Sequence, residues 1–427
     1  MPESDLSLPP VVPPGAVRRE PALDGVRGAA MLAVMLFHFT MFEQSGQPVY
    51  RAALSFASLG WVGLDLFFVL SGFLITGILL DTKGHRHFFR NFYLRRALRM
   101  FPLYYAVLAI VMLALLATLG VRTPESRELL GRQVWLWTYT TNIEFAVAGH
   151  WNFNIGQLWL NHFWSLAVEE QFYLVWPAIV LVLSRRALAV TTVALVVAAP
   201  LLRAAMIAYG ARPGVVLTLT PCRVDALALG ALAAMLVRDA AMRSRVLPTL
   251  PFVSLVALPP LVWLAATRRL YWLDPTVVVL ALTPLAVLSC VVVLRCALAP
   301  EGRLARLLRS SMLQFLGKYS YATFVVHYML WPLLEQHLPA GRITAATGSE
   351  LLGLGAHVIV GSAISVAAGF VSYHVLERHF LALKRNFPYS TVLVSEPACP
   401  TEVDAVLPGA DRSTVVATTS GRAPVGA

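Results

Sequence analysis

Ten apolar stretches, each close to the length of a bilayer crossing, divide the chain at about 27–44, 60–80, 102–119, 160–183, 187–209, 223–237, 249–266, 276–295, 314–334 and 352–376. A bilayer core about 30 Å thick needs roughly 20 apolar residues of helix. Inside hydrocarbon only segments that satisfy their own backbone hydrogen bonds are stable. The pattern therefore predicts an all-α fold, a polytopic integral membrane bundle of about ten transmembrane helices. Charged residues make up 13% of the chain, against about a quarter in soluble domains, so the 427 residues do not read as two soluble domains.

Charge then orients the bundle. With the N-terminus in the cytoplasm and sides alternating, the cytoplasmic segments hold 22 Lys and Arg and the outer loops nine, Arg223 among the latter. That bias predicts a multi-pass protein of the inner (plasma) membrane with both termini cytoplasmic. The segment RQVWLWTYTTNIEFAV at 132–147 is aromatic and polar and is expected to be partly embedded or interfacial. Counting it as a crossing would put the basic cluster at 295–318 outside. The stretch HRHFFRNFYLRRALRM at 85–100 is too basic to cross and suits an interfacial helix, with Pro102 opening the next span.

Residues 1–20 are expected to be a disordered lead, 21–385 the membrane domain and 386–427 a disordered cytoplasmic tail. No cleavable signal peptide is expected, because no apolar core stands in the first 20 residues before a small-residue cleavage site. The net charge of +11 is accounted for by loop arginines, which form no extended basic face, so nucleic acid is not an expected partner. Cys222, Cys290, Cys296 and Cys399 make no CxxC pair, which leaves no zinc knuckle or redox motif, and no metal site is expected.

Ionisable residues inside apolar spans are costly and mark candidate function. The first is in LDGVRGAAMLAVMLFHF, where Arg27 and His38 are eleven positions apart. That spacing is about 16 Å and puts both on nearly one helix face. It places Arg27 at one interface and His38 near mid-bilayer. Histidine near its ordinary range can take a proton from a hydroxyl. Asp24, one turn before Arg27, is either part of that set or a helix cap. In GWVGLDLFFVLSGFL, Asp65 and Ser71 need partners within the bundle. In YLRRALRMFPLYY, Arg96 and Arg99 share one face, as lipid anchors or as a clamp for phosphate. FWSLAVEEQFYLVWP carries Ser165, Glu169 and Glu170 in an aromatic helix, the two acids about 100° apart. His327 lies mid-span in YSYATFVVH, while Glu377 and Arg378 of LERHF suit anchoring at the inner interface.

These stretches, in this order, resemble acyltransferase family 3 of membrane O-acyltransferases. Arg27 and His38 stand with ten residues between them, as in that family. GLDLFFVLSGFLI at 63–75 matches a family span, with Leu64 in place of the usual Val. Arg96, Arg99 and Pro102 match its Arg-x-x-Arg-aromatic-Pro pattern, and Trp164 to Tyr173 its WSLxxExxFY, with Glu169 at the acid position. LERHF has His379 where the family often has proline. The resemblance covers roughly residues 20–385, and the set is far more specific than any one motif.

The resemblance implies an enzyme, an acyltransferase of groups other than amino-acyl groups, which modifies a carbohydrate by O-acetylation or a related transfer. The donor would be acyl-CoA, acetyl-CoA for instance, as cosubstrate, with no cofactor bound permanently. The acceptor would be a hydroxyl of a sugar, in a surface polysaccharide or a glycosylated natural product. In that scheme Arg96 and Arg99 hold the CoA phosphates and His38 is the general base. Arg27 stabilises charge on the donor side or orients His38 through Asp24. Asp65, Ser71, Ser165, Glu169 and His327 shape the acceptor side. An acyl-histidine route is also open. The competing class is a proton-coupled transporter using the buried His, Asp and Glu, although no inverted repeat supports it. A haem site between His38 and His327 is a third reading.

Overall fold

A computed structural model describes residues 20–389 apart from 45–46, 119–123, 152, 156–157 and 269. The N-terminal lead before Glu20, the tail beyond Tyr389, Arg122, Arg269 and Cys399 lie outside the described residues.

The chain is built of helices in an order close to that of its apolar runs. α1 (Pro21–Thr40) is followed by α2 (Pro48–Ser58), a 3-10 turn, α3 (Gly63–Thr82) and α4 (Phe88–Thr118). Two short helices come next, α5 (Pro124–Trp137) and α6 (Thr141–Ala148). A minimal antiparallel pairing of β1 (Asn154–Ile155) with β2 (Leu158–Trp159) precedes α7 (Phe163–Val182) and α8 (Arg185–Ala208). The chain continues through α9 (Pro213–Thr218), α10 (Thr220–Val237), α11 (Ala240–Arg268), α12 (Pro275–Leu280), α13 (Leu282–Leu298) and α14 (Arg303–Leu308). It closes with α15 (Ser311–His337), α16 (Ala340–Thr347), α17 (Glu350–Ser372), a π turn over Tyr373–Glu377, and α18 (Arg378–Ala382).

Among the described residues, eight helical segments are long and apolar enough to cross a membrane. The other two expected spans are also helical: the 17 residues of α13 form a shorter apolar helix after α12, and the more polar α15 has 27 residues. The segment at 132–147 forms parts of α5 and α6, of 14 and 8 residues, each too short for a bilayer core.

Three expectations change. Pro102 does not open a helix; it sits inside the 31-residue α4, which continues the basic stretch directly into the apolar one. A proline removes one ladder hydrogen bond, and membrane helices absorb that loss through their neighbours. Arg223 is not a loop anchor. The extra turn of α9 delivers it already inside the bundle, in the first turn of α10, with 1% exposure. Glu377 likewise is not an exposed anchor but is buried.

Burial sorts the helices into centre and periphery. In α8 and α11 only 17% and 22% of the apolar window is buried, so most of their apolar surface faces outward. α1 and the segment ending in α10 reach 61% and 67% and form the centre. Two glycine contacts set the central spacing. A Cβ on Gly28 of α1 would lie 2.0 Å from the Leu313 carbonyl oxygen of α15, and one on Gly317 of α15 would lie 1.8 Å from that of Asp24. Between α3 and α10 the contact is reciprocal, with Gly72 against the Leu227 carbonyl and Gly230 against that of Val69, each at 2.0 Å for an added Cβ. Small residues let membrane helices approach to backbone contact. The first contact brings the polar side chains of α1 and α15 together, and the second does so for α3 and α10.

Candidate active site

Three histidines gather at one end of α1. His38 lies in the last turn of that helix, because α1 starts and stops earlier than its apolar run suggests, so it is near the helix end and not at mid-span. Its Nδ1 is 3.0 Å from the Val34 carbonyl oxygen and 3.1 Å from Nε2 of His327. His327 in turn places Nδ1 2.7 Å from the Phe324 carbonyl oxygen. A carbonyl can only accept, so both Nδ1 atoms carry the proton when the rings are neutral. His38 then shares its Nδ1–H between Val34 and His327, and its Nε2 keeps a free lone pair. These tautomers are assigned from the hydrogen-bond network. His162 donates Nε2–H to the Val325 carbonyl at 3.0 Å, and its buried Nδ1 has no partner among the described residues. Its ring centroid is 5.3 Å from that of His327.

A cavity of about 470 Å³ opens beside these rings. Its lining includes His38, His162, Ser165, Arg223 and the aromatic side chains of Trp61 and Trp272. Tyr328 packs against His38 with centroids 4.6 Å apart. The direct His38–His327 contact leaves no room for haem iron, since two axial imidazole nitrogens would stand about 4 Å apart, twice a metal–nitrogen bond. Among the described residues no cluster of three metal-ligating side chains is found.

A second cavity, of about 240 Å³, lies toward the other end of α1. Arg27, Arg96 and Arg99 line it with Ser71, Glu169 and Tyr173. Arg27 pairs with Asp24 at 3.1 Å. Ser71 donates its hydroxyl to Glu169 at 2.6 Å. The Arg96 guanidinium lies 3.8 Å from the centroid of the Tyr173 ring, and that of Arg99 5.7 Å from the Tyr321 ring. The lining thus holds three guanidinium groups and one carboxylate, with Asp24 paired to Arg27 beside them. The two cavities share Leu64, Ser165 and Phe324 as common wall. Ser165 is fixed there by donating to the His162 carbonyl at 3.0 Å.

The candidates drawn from sequence thus fall into two groups. Arg27, Arg96, Arg99, Ser71 and Glu169 meet in the arginine cavity, and His38 lines the histidine cavity. Ser71 and Glu169 do not join the histidine side as expected. Ser71 is seven residues beyond Leu64 on α3 and Glu169 four beyond Ser165 on α7, which carries them about 10 Å and 6 Å down from the shared wall. His327 is fully buried behind His38 and does not line the cavity. Asp65 lines neither cavity; it pairs with Arg223, which does. No sequence pattern singled out His162 or Arg223. A histidine one residue before an aromatic helix start, and an arginine shortly before an acid in an apolar run, are weak signals on their own.

A helical membrane bundle with a cationic cavity and a histidine cavity back to back defines a membrane-embedded class of protein with a two-sided polar site. The acyltransferase domain model of the acyltransferase 3 family matches residues 20–374, and the chain belongs to that family of acyl-transferring enzymes. It is similar to the putative peptidoglycan O-acetyltransferase YrhL of Bacillus subtilis, 27% identical over 84% of this chain and 54% of the relative. It is also similar to the peptidoglycan O-acetyltransferase OatA of Listeria monocytogenes, 34% identical over 38% of this chain and 24% of that protein. A putative O-acetyltransferase of Staphylococcus aureus, SAS0844, is 30% identical over 39% of this chain and 26% of its own length. The chain spans about half the length of the first of these and about a quarter of the others. No solved structure matches it.

Proposed function

We propose that this protein is a membrane O-acyltransferase that moves an acyl group, acetyl in the first instance, from acyl-CoA to a hydroxyl of a sugar or glycosylated acceptor. The observation that carries this reading is the pair of cavities of opposite chemistry that meet at Leu64, Ser165 and Phe324. The arginine cavity suits the phosphates of CoA, since guanidinium groups bind phosphate through paired charge-assisted hydrogen bonds. The charge bias of the loops supports a cytoplasmic side for that cavity and for both termini. The extended arm of CoA then carries the thioester past the shared wall toward His38.

In the histidine cavity the acceptor hydroxyl gives its proton to Nε2 of His38 as its oxygen bonds to the thioester carbonyl carbon. The carbonyl electron pair moves to oxygen. On collapse the C=O double bond reforms, the C–S bond breaks, and the CoA thiolate takes the proton back from His38. General base catalysis of this kind contributes about 10²–10⁴-fold. Support for a carbohydrate acceptor comes from the names of the relatives and from the aromatic lining of the cavity, which offers flat faces to a sugar ring.

The test is transfer of labelled acetyl from acetyl-CoA by the purified full-length protein in nanodiscs, with glycan fragments as acceptors. Wild-type protein should turn over, and His38→Ala should lose about 10²-fold or more. Full activity in His38→Ala would sink the scheme. Proton flux through wild-type protein with no acyl transfer would favour a carrier instead.

A further inference from the structure

The reacting carbonyl needs a positive partner, and Arg27 cannot supply it. Arg27 lines the arginine cavity, and its backbone is about 16 Å from that of His38 along α1. Charge stabilisation at the carbonyl must come from the histidine cavity itself. Among the residues lining that cavity the one guanidinium is Arg223, from the first turn of α10.

Arg223 is held in a fixed pose. Its Nη2 donates to Oδ1 of Asp65 at 2.7 Å, and both side chains are 1% exposed. Its guanidinium carbon lies 5.2 Å from the centroid of the Phe68 ring. The Gly72 and Gly230 contacts bring α3 and α10 close enough for the pair to form. Yet only one of its five N–H donors is engaged among the described residues, and its buried Nε has no partner.

The neighbouring Arg203 shows what a purely structural arginine looks like here. Its buried Nε also has no partner among the described residues, but it donates to the Cys222 carbonyl at 2.6 Å, to Asp225 at 3.0 Å and to Thr283 at 2.6 Å, and it lines neither cavity. Arg223 is equally buried but faces an open volume with donors to spare.

We infer that Arg223, oriented by Asp65, is a catalytic residue that donates hydrogen bonds to the oxyanion formed when the acceptor hydroxyl adds to the thioester carbonyl. The inference rests on the acyl-transfer reading above. A guanidinium preset by a buried ion pair binds developing negative charge without reorganising at the moment of reaction. Asp65 is then a positioning residue, which explains an acid that lines neither cavity.

The experiment compares Arg223→Gln, Arg223→Lys, Asp65→Asn and the double variant Arg223→Gln/Asp65→Asn in nanodiscs. It reads kcat, KM for a neutral glycan and for an anionic one, binding of labelled acetyl-CoA, and melting temperature. Arg223→Gln should lower kcat by about 10²–10³-fold, the loss typical of one oxyanion donor, with acetyl-CoA binding unchanged within about twofold. Arg223→Lys should recover part of that loss. The double variant removes both buried charges, so it should regain melting temperature without regaining kcat. If it regained kcat, Arg223 would be only a helix lock and the inference would fail. It would fail equally if Arg223→Gln kept kcat within about threefold, or if the loss lay in KM for the anionic glycan alone. Wild-type protein with no transfer at all would instead sink the underlying reading.

Discussion

Replacing His327 by leucine should slow the reaction without stopping it, and the geometry sets the size of the effect. His38 shares its Nδ1–H between the Val34 carbonyl at 3.0 Å and Nε2 of His327 at 3.1 Å. In the resting enzyme this is a neutral hydrogen bond, worth about 0.5–1.5 kcal/mol. On the proposed reading His38 takes the acceptor's proton, and the same bond then comes from an imidazolium and is worth about 1.5–3 kcal/mol. Only the difference, about 1–1.5 kcal/mol, is specific to the transition state. That predicts a roughly five- to tenfold fall in kcat for His327→Leu. The Val34 carbonyl still holds the tautomer, so the loss stays far below that of His38→Ala. His327→Gln, whose side-chain oxygen can accept the same bond, should recover most of the rate. The assay is acetyl transfer in nanodiscs at saturating acetyl-CoA, with ¹⁵N-histidine spectra reporting which ring nitrogen of His38 is protonated. Wild-type kcat in His327→Leu would refute the argument. A loss as deep as that of His38→Ala would also refute it, because His327 would then be a reacting base and not a support.

Three further outcomes follow from the same geometry. Arg96→Gln and Arg99→Gln should each raise KM for acetyl-CoA by roughly tenfold or more, since a charge-assisted hydrogen bond is worth about 1.5–3 kcal/mol, while kcat changes little; initial rates against acetyl-CoA concentration check this. Gly28→Leu forces a Cβ to within 2.0 Å of a backbone oxygen of α15, so it should lower the melting temperature and separate His38 from His327, read as lost acetyl transfer in whatever protein still folds. In a cysteine-free background, Tyr271→Cys should react with an impermeant thiol reagent applied to the outer face of right-side-out vesicles and Arg378→Cys only from the inner face; the reverse pattern would overturn the assigned orientation.

The helices were legible because hydrocarbon permits so few alternatives. An apolar run of bilayer length has to be helical, and all ten runs are. His38 and the arginines of α4 stood out for the same reason, as charges where charge is costly. The pairings across the bundle were not legible. Asp65 and Arg223 are 158 residues apart in the chain, and nothing local to either names the other. Arg223 looked like a loop charge because it stands at the very start of its apolar run, and only the turn of α9 moves it inside. The division of the site into two cavities was also hidden. It depends on how far Ser71 and Glu169 lie below Leu64 and Ser165 once α3 and α7 are packed, which no single helix pattern contains.

On the proposed reading the site joins two sides of a membrane, so it must pass one group and exclude ions. On that reading a polyanionic ligand would meet Arg27, Arg96 and Arg99 on arrival in the arginine cavity. The histidine cavity holds its buried guanidinium as a pair with Asp65. Between them the wall is Leu64 and Phe324, with Ser165 as its polar member and that hydroxyl already engaged. An ion leaving the arginines would meet apolar side chains with no coordinating group. A thioester, neutral and narrow, meets no such penalty. On the proposed reading, the same two residues that bar ions therefore set the width available to the acyl group, so enlarging the wall with Phe324→Ala should widen acyl-chain acceptance and raise ion leak together.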